Sequence, residues 1–249
     1  LSSAAAAPGL LRPAWHAPPG VQAAFTLRAG GASAAPFDAL NLGSHVGDAP
    51  DAVAENRRRV AQALALPATP AWLKQVHGTH VADLDAGPPD SPADAAVTRR
   101  PGRVLAILVA DCLPVLFASD DGQVLAAAHA GWRGLAGGVL EATLAAMAVP
   151  AGGIRAWLGP AIGAAHFEVG EEVRAAFLAG DPGAGLAFSA NPRGRWQCDL
   201  AALARRRLAA AGVATVVVAG LCTHAHPAKC YSYRRDGRTG RMAALLWRT

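Results

Sequence analysis

Two histidines and a cysteine could share one ion: His77 in Lys74-Gln75-Val76-His77-Gly78, Cys112 in Ala110-Asp111-Cys112-Leu113-Pro114, and His129 in His129-Ala130-Gly131-Trp132-Arg133-Gly134. Two imidazoles and one thiolate suit zinc. Three protein ligands leave the fourth tetrahedral position for water or substrate, the pattern of a catalytic site. No compact zinc motif contains them, so the residues alone leave a second reading open. Cys112 could be a nucleophile with His129 or His77 as its base. The two readings exclude each other, because chelation removes the free thiolate. His80, three residues after His77, fits an auxiliary role. A closed, purely structural site would need a fourth protein ligand, and no residue obviously supplies one.

The elements that must hold these residues read as alternating strands and helices. Val104–Val109 (VLAILV) and Leu113–Ala118 (LPVLFA) are short apolar runs, Ser119-Asp120-Asp121-Gly122 is a turn, and Gln123–Ala128 (QVLAAA) is a third strand. Asp111-Cys112 then falls at the bend between the first two strands and His129 at the end of the third. Gly131 and Gly134 lead into a helix reaching about Met147. A ligand at a strand end beside a glycine turn is held rigidly while its other side faces open space. Upstream, Asp48-Ala49-Pro50-Asp51 opens a helix through Leu66 with Val53, Val60 and Leu64 on one face, ended by Pro67 and Pro70. Downstream come a strand over Ile154–Leu158, a helix from about Gly170, a helix over Asp199–Ala211 and a buried strand over Ala214–Ala219. This alternation, with a hairpin inside it, predicts an α/β (α+β) layered sandwich with a mixed, partly antiparallel sheet and flanking helices. Pro88-Pro89-Asp90-Ser91-Pro92 reads as a loop, since motifs on both sides belong to one set. The expected organisation is a flexible lead-in over residues 1–10 and a single domain over 11–249.

Composition narrows the function classes. Hydrophobic residues make up 52% and charged ones 16% of the 249 residues, which excludes disorder over most of the chain. The net charge of +5 does not point to nucleic acid, because Lys74 and Lys229 are the only lysines and the arginines do not gather in one tract. The runs Arg57-Arg58-Arg59 and Arg205-Arg206-Arg207 each fall in an amphipathic helix. No uninterrupted apolar stretch of about 18 residues suggests a membrane span. Cys112, Cys198, Cys222 and Cys230 form neither a C-x-x-C pair nor a short disulfide framework, so a reducing, cytoplasmic compartment is expected.

Further motifs lie around the three ligands: Leu40-Asn41-Leu42-Gly43, Gly47-Asp48 with Glu55-Asn56-Arg57, Gly159-Pro160-Ala161-Ile162-Gly163, Phe167-Glu168-Val169-Gly170 and Tyr231-Ser232-Tyr233-Arg234-Arg235-Asp236-Gly237. With these in order from Leu40 to Gly237, the chain resembles the bacterial polyphenol oxidase or laccase-domain family, now regarded as zinc-dependent purine nucleoside phosphorylases. The resemblance implies one zinc per chain, held by His77, Cys112 and His129, in a mixed α/β sandwich that is a monomer or a weak homodimer. It implies phosphorolysis of adenosine, inosine and methylthioadenosine by phosphate to the free base and the ribose 1-phosphate, with adenosine deamination beside it.

The residue chemistry is compatible with that expectation. Zinc brings the pKa of bound water toward 7, and hydroxide so made could attack C6 of adenine, although the paired-cysteine signature of zinc deaminases is missing. Phosphorolysis needs an anion site, for which guanidinium forks are the natural donors: Arg57, Arg133, beside the ligand His129, and the Arg234-Arg235 pair. The expected catalytic set is Cys112, His77, His129 and Arg133, and the substrate-binding set Asn41, His45, Arg57 and Arg235. Tyr231 and Tyr233 could stack on a purine or form a strand face. Asp111 and Glu168 are the candidate acids, Asp111 alternatively orienting its neighbourhood. The alternative function is a copper-dependent polyphenol oxidase. That chemistry needs about ten imidazoles. The chain has eight histidines and one His-x-His pair, His224-Ala225-His226, read here as peripheral.

Overall fold

Continuous apolar runs become strands covered on both faces. The computed structural model describes residues 7–89 and 91–249. In chain order its strands and α-helices are β1 (Leu10–Leu11), β2 (Val21–Thr26), α1 (Pro50–Leu64), β3 (Ala71–Trp72), β4 (Val81–Asp83), β5 (Ala95–Thr98), β6 (Val104–Val109), β7 (Leu113–Ser119) and β8 (Leu125–Ala130). There follow α2 (Trp132–Gly137), α3 (Val139–Met147), β9 (Ile154–Leu158), β10 (Glu168–Val169), α4 (Glu171–Leu178), β11 (Phe188–Ala190), β12 (Trp196–Cys198), α5 (Leu200–Ala210), β13 (Thr215–Val218), α6 (Tyr233–Asp236) and β14 (Met242–Arg248).

Two sheets stack at the centre, one in the order β1-β2-β14-β6-β3 and the other β13-β9-β7-β8-β5-β4. Phe25, Ile107 and Leu246 of the first meet Leu116, Ala127 and Trp157 of the second. Helix α1 covers the outer face of the first through Val60 and Leu64, against Leu42 and Trp247. Helices α3 and α5 cover the outer face of the second through Leu140 and Leu208, against Val115 and Phe117. Every residue of β6, β7 and β8 is buried. Their sequences therefore read as unbroken apolar runs without the alternation of a half-exposed strand. A small sheet, β10-β12-β11, lies beside them.

The expected mixed α/β sandwich is what the chain forms, with parallel pairs (β3–β6, β4–β5, β9–β13) among antiparallel ones. Helix α1 begins at Pro50, whose fixed φ and missing N–H suit a first turn. Three details differ from expectation. Strands β6 and β7 belong to different sheets, so Asp111-Cys112 is a crossover between layers and not a bend within one. The helix expected to reach about Met147 already starts at Trp132, with Gly134 inside it, and breaks at Gly138, whose φ of +101° ends α2 and starts α3. The run around β13 is an edge strand and half-exposed, apolar without being buried. Residues 1–6 of the expected lead-in lie outside the described residues, whereas Leu10 pairs with Thr26 and Gly9 donates to the Ala29 carbonyl. No helix among the described residues is long and apolar enough to cross a membrane.

Asn56 fastens α1 to the loop it covers. Its Nδ2 donates to Ser33 Oγ and the Asn41 carbonyl, each at 2.8 Å, and its Oδ1 accepts from the Ala32 N–H at 2.7 Å. The residue is fully buried, so truncation leaves those groups without water to replace it. Asn56→Ala is expected to lower stability by about 1–3 kcal/mol, read as a downward shift of the urea midpoint at unchanged slope.

Candidate metal centre

His77, Cys112 and His129 converge: their ligand atoms all lie within 4.8 Å of one another. Cys112 Sγ is 3.7 Å from His77 Nε2, and the two imidazoles meet edge to face with centroids 4.8 Å apart. Zinc–nitrogen and zinc–sulfur bonds of about 2.0 and 2.3 Å put tetrahedral ligand atoms roughly 3.3–3.6 Å apart, close to the Cys112–His77 separation. No fourth His, Cys, Asp or Glu joins the group among the described residues. His129 is buried, Cys112 half-buried and His77 exposed, so the cluster opens toward solvent on the His77 side. The donor set and its spacing fit a borderline-soft divalent ion.

Each ligand is placed by a different device. His129 sits within β8, opposite Pro114 of β7. Cys112 follows Asp111, whose φ of +94° turns the chain out of β6 and into the second sheet. His77 stands on a loop tied to β6 through Gln75, whose amide donates to the Leu108 carbonyl and accepts the Leu108 N–H, both at 2.8 Å. Gly131 makes room for the cluster: a Cβ there would lie 2.8 Å from His77 Cδ2 and 3.0 Å from Cys112 Sγ.

The residue that organises the site escaped the sequence reading. Asp94, fully buried, accepts from His129 Nδ1 at 2.8 Å and from the backbone N–H groups of Val76, His77 and Gly78. Accepting at Nδ1–H leaves Nε2 of His129 as the lone-pair donor. Burial alone would raise the Asp94 carboxyl, but the bonds from His129 and the backbone outweigh it and hold it below its ordinary value. Burial likewise pushes the Cys112 thiol up, and the charge and hydrogen bonds of His129 and His77 bring it down to about 6. His129 is lowered by burial and lifted by the Cys112 thiolate and Asp94 to about 9. Cys112 is therefore poised to act as thiolate, the form a metal needs. The sequence signal for Asp94 is a lone acid in the apolar run Ala93–Val97, where an ionised carboxylate must find partners.

The other expected residues divide into supports and wall. Asn41 is fully buried; its Oδ1 accepts from Gly43 N and Arg241 N, and its Nδ2 donates to Asp48. Arg57 donates twice to the Leu42 carbonyl and stacks over Trp72 at 4.1 Å. Arg235 clamps the carbonyls of Thr223, His224 and Cys230 and pairs with Asp236. Arg133 is exposed and lies over the Trp132 ring at 4.4 Å. Tyr231 is buried, donating to the Phe37 carbonyl, while Tyr233 is 61% exposed. Asp111 accepts from Thr223, Ser232 and the Arg234 N–H, and so ties the 222–235 segment to the crossover. Glu168 accepts from Arg193 and Asn191, and Arg193 keeps its carboxyl below the ordinary range, a poor setting for an acid. Cys222 Sγ lies 3.7 Å from His166 Nδ1, and His166 stacks with His224. His45 sits at the rim of a cavity of about 340 Å³ whose walls include Tyr233, Arg238, Thr239 and Arg241.

Comparison with known proteins agrees with this architecture. Residues 22–249 match the family model described as multi-copper polyphenol oxidoreductase laccase. A purine nucleoside phosphorylase of Pseudomonas aeruginosa is 53% identical over 239 residues, covering 95% of this chain and 97% of that one. Purine nucleoside phosphorylase YfiH of Escherichia coli K12 is 49% identical, with 96% and 98% covered. A solved structure of a Neisseria meningitidis protein superposes with a TM-score of 0.92 at 47% identity, covering 96% of this chain and 99% of that one.

Asp94 provides the test of this arrangement. Asp94→Asn keeps the size and removes the charge behind His129. Metal affinity is expected to fall about 10–100-fold, measured by competition with a chromophoric chelator, while the far-ultraviolet circular dichroism stays that of the parent.

Proposed function

We propose a function from one premise: the chain belongs to the multi-copper polyphenol oxidoreductase laccase family, and its curated relatives carry the name purine nucleoside phosphorylase. It is a zinc-dependent purine nucleoside phosphorylase. It cleaves adenosine, inosine and methylthioadenosine with phosphate to the free base and the ribose 1-phosphate, and it deaminates adenosine. It works in the cytoplasm, where its four unpaired cysteines stay reduced.

One observation carries this reading: three convergent donors with no fourth among the described residues. A structural site closes its shell, whereas a catalytic one leaves a position for water or substrate. Bound there, zinc supplies Lewis acidity and a water of lowered pKa. His77, Cys112 and His129 hold that position, and Asp94 fixes the tautomer and direction of His129. The exposed ring of Tyr233 offers a flat apolar surface beside the cavity, suited to a purine. The oxidase reading meets an arithmetic obstacle, eight histidines against the roughly ten imidazoles of a blue-copper site plus a three-copper cluster.

Purified protein is expected to carry about one zinc per chain and to release purine base from adenosine only when phosphate is supplied, with ribose 1-phosphate equal to the sum of adenine and hypoxanthine formed. Base released without phosphate would make the enzyme a hydrolase. Adenosine that yields no ammonia would remove the deaminase part. Cys112→Ala is expected to lose zinc and turnover together. Turnover lost with zinc retained would assign Cys112 as a nucleophile instead, and oxygen uptake with a phenol and copper would restore the oxidase.

A further inference from the structure

We propose that the cavity beside the three-donor cluster seats inorganic phosphate, with Arg241 as the main donor and Thr239 and Arg238 completing the seat. The identity of the anion rests on the phosphorylase reading; the seat itself rests on the groups that line it. Among the described residues, the Arg241 guanidinium bonds only to the carbonyls of Thr239 and Gly240, and that of Arg238 only to the Gly47 carbonyl. Neither is paired with a carboxylate there. Thr239 is 2% exposed, and its Oγ1 has no hydrogen-bond partner. A buried hydroxyl without a partner and two guanidiniums that touch no carboxylate, lining one cavity, complement an oxyanion, and Asp111 and Cys112 act on Arg241 only through space. His45 records the same field: partial burial, then Arg241 and Arg57, hold its imidazole below the ordinary value.

The chain fixes this seat next to the ligands. Met242 pairs with Val109, which brings Arg241 alongside Ala110, two residues from Cys112. The Arg241 N–H donates to Asn41 Oδ1 at 2.8 Å, and Gly43 lets the side chain pass, since a Cβ there would lie 2.7 Å from Arg241 Cγ. In a larger groove of about 1080 Å³, Arg206 and Arg207 are neutralised by Asp181 and Glu141, and Arg205 alone lines it without a carboxylate partner among the described residues.

The test has a binding arm and a turnover arm, both on metal-loaded protein. In the first, inorganic phosphate is titrated calorimetrically. Thr239→Val should fold at least as stably as the parent and bind phosphate about 10-fold more weakly. Arg241→Met should weaken it at least about 30-fold, with metal content unchanged in both. In the second, the KM for phosphate should rise by similar factors while the KM for adenosine moves less than about 2-fold, a split that mere loosening of the fold would not give. Phosphate binding unchanged in both variants, or none in the parent, overturns the seat. Phosphorolysis with an unchanged phosphate KM in both variants overturns the seat and leaves the phosphorylase reading standing. Phosphate bound through Arg241 without any phosphorolysis keeps the seat and sinks that reading.

Discussion

The site depends on one buried carboxylate. Asp94 is enclosed in protein, and an isolated charge there would cost several kcal/mol. It is offset by His129 Nδ1 and three consecutive backbone N–H groups from Val76 to Gly78. The same residue is stitched in by its backbone, its N–H donating to the His80 carbonyl and its carbonyl accepting from the His129 N–H. One residue therefore sets the distance between the loop that carries His77 and the strand that carries His129. His77 holds a φ of +63°, a conformation other residues rarely adopt, and the converging amides at Asp94 over-determine it. Such strain persists where the surroundings leave no alternative, which is the case here.

The second constraint is the passage of the chain between sheets. Cys112 lies where the backbone leaves β6 in one layer and enters β7 in the other, so the thiol is held at the junction of two rigid layers. The strands themselves were legible as apolar runs, and the β7–β8 pairing as a hairpin across Ser119–Gly122. Their assignment to sheets was not, because strands covered on both faces carry no alternation to say which layer faces them. The three donor residues were legible as candidates by type, but the residues alone left a cysteine nucleophile open, and the resemblance to the family carried the choice. Asp94 was not. Its neighbours Ala93, Ala95 and Ala96 read as plain strand, and its partners are backbone amides that have no sequence signature.

The arginines show the same limit more sharply. A guanidinium fork suits a phosphate and a set of backbone carbonyls equally well, and sequence does not reveal which of them the fold will present. Arg57 and Arg235 spend their forks on carbonyls, one beneath the 41–48 loop and one around the 222–230 segment. Both act as fasteners of the surfaces around the cavity. Asn41 has a comparable part: its amide joins Gly43, Asp48 and Arg241, so its buried position orders the loop that ends at the rim. Arg241 lies outside the motifs that drew attention in the sequence, because its proposed role comes from what it lacks, a carboxylate in contact, and that is visible only with the fold in hand.

Charge balance links the two halves of the site. A dication between the Cys112 thiolate and two neutral imidazoles would leave one positive charge, and the carboxylate of Asp94 behind His129 would cancel it. Coordination by this set is thus nearly neutral in a low-dielectric surround, the condition under which burial of an ion is least costly. Asp111, the remaining acid near Cys112, is engaged by Thr223, Ser232 and the Arg234 N–H. Arg238 and Arg241, which touch no carboxylate among the described residues, line the cavity and are not among the ligands. An anion drawn to that side meets attraction without competing for the donors, because the charge that holds the ion and the charge that faces the cavity are carried by separate residues. On the proposed reading, that separation would let one small region keep a cation and recruit an anion at once.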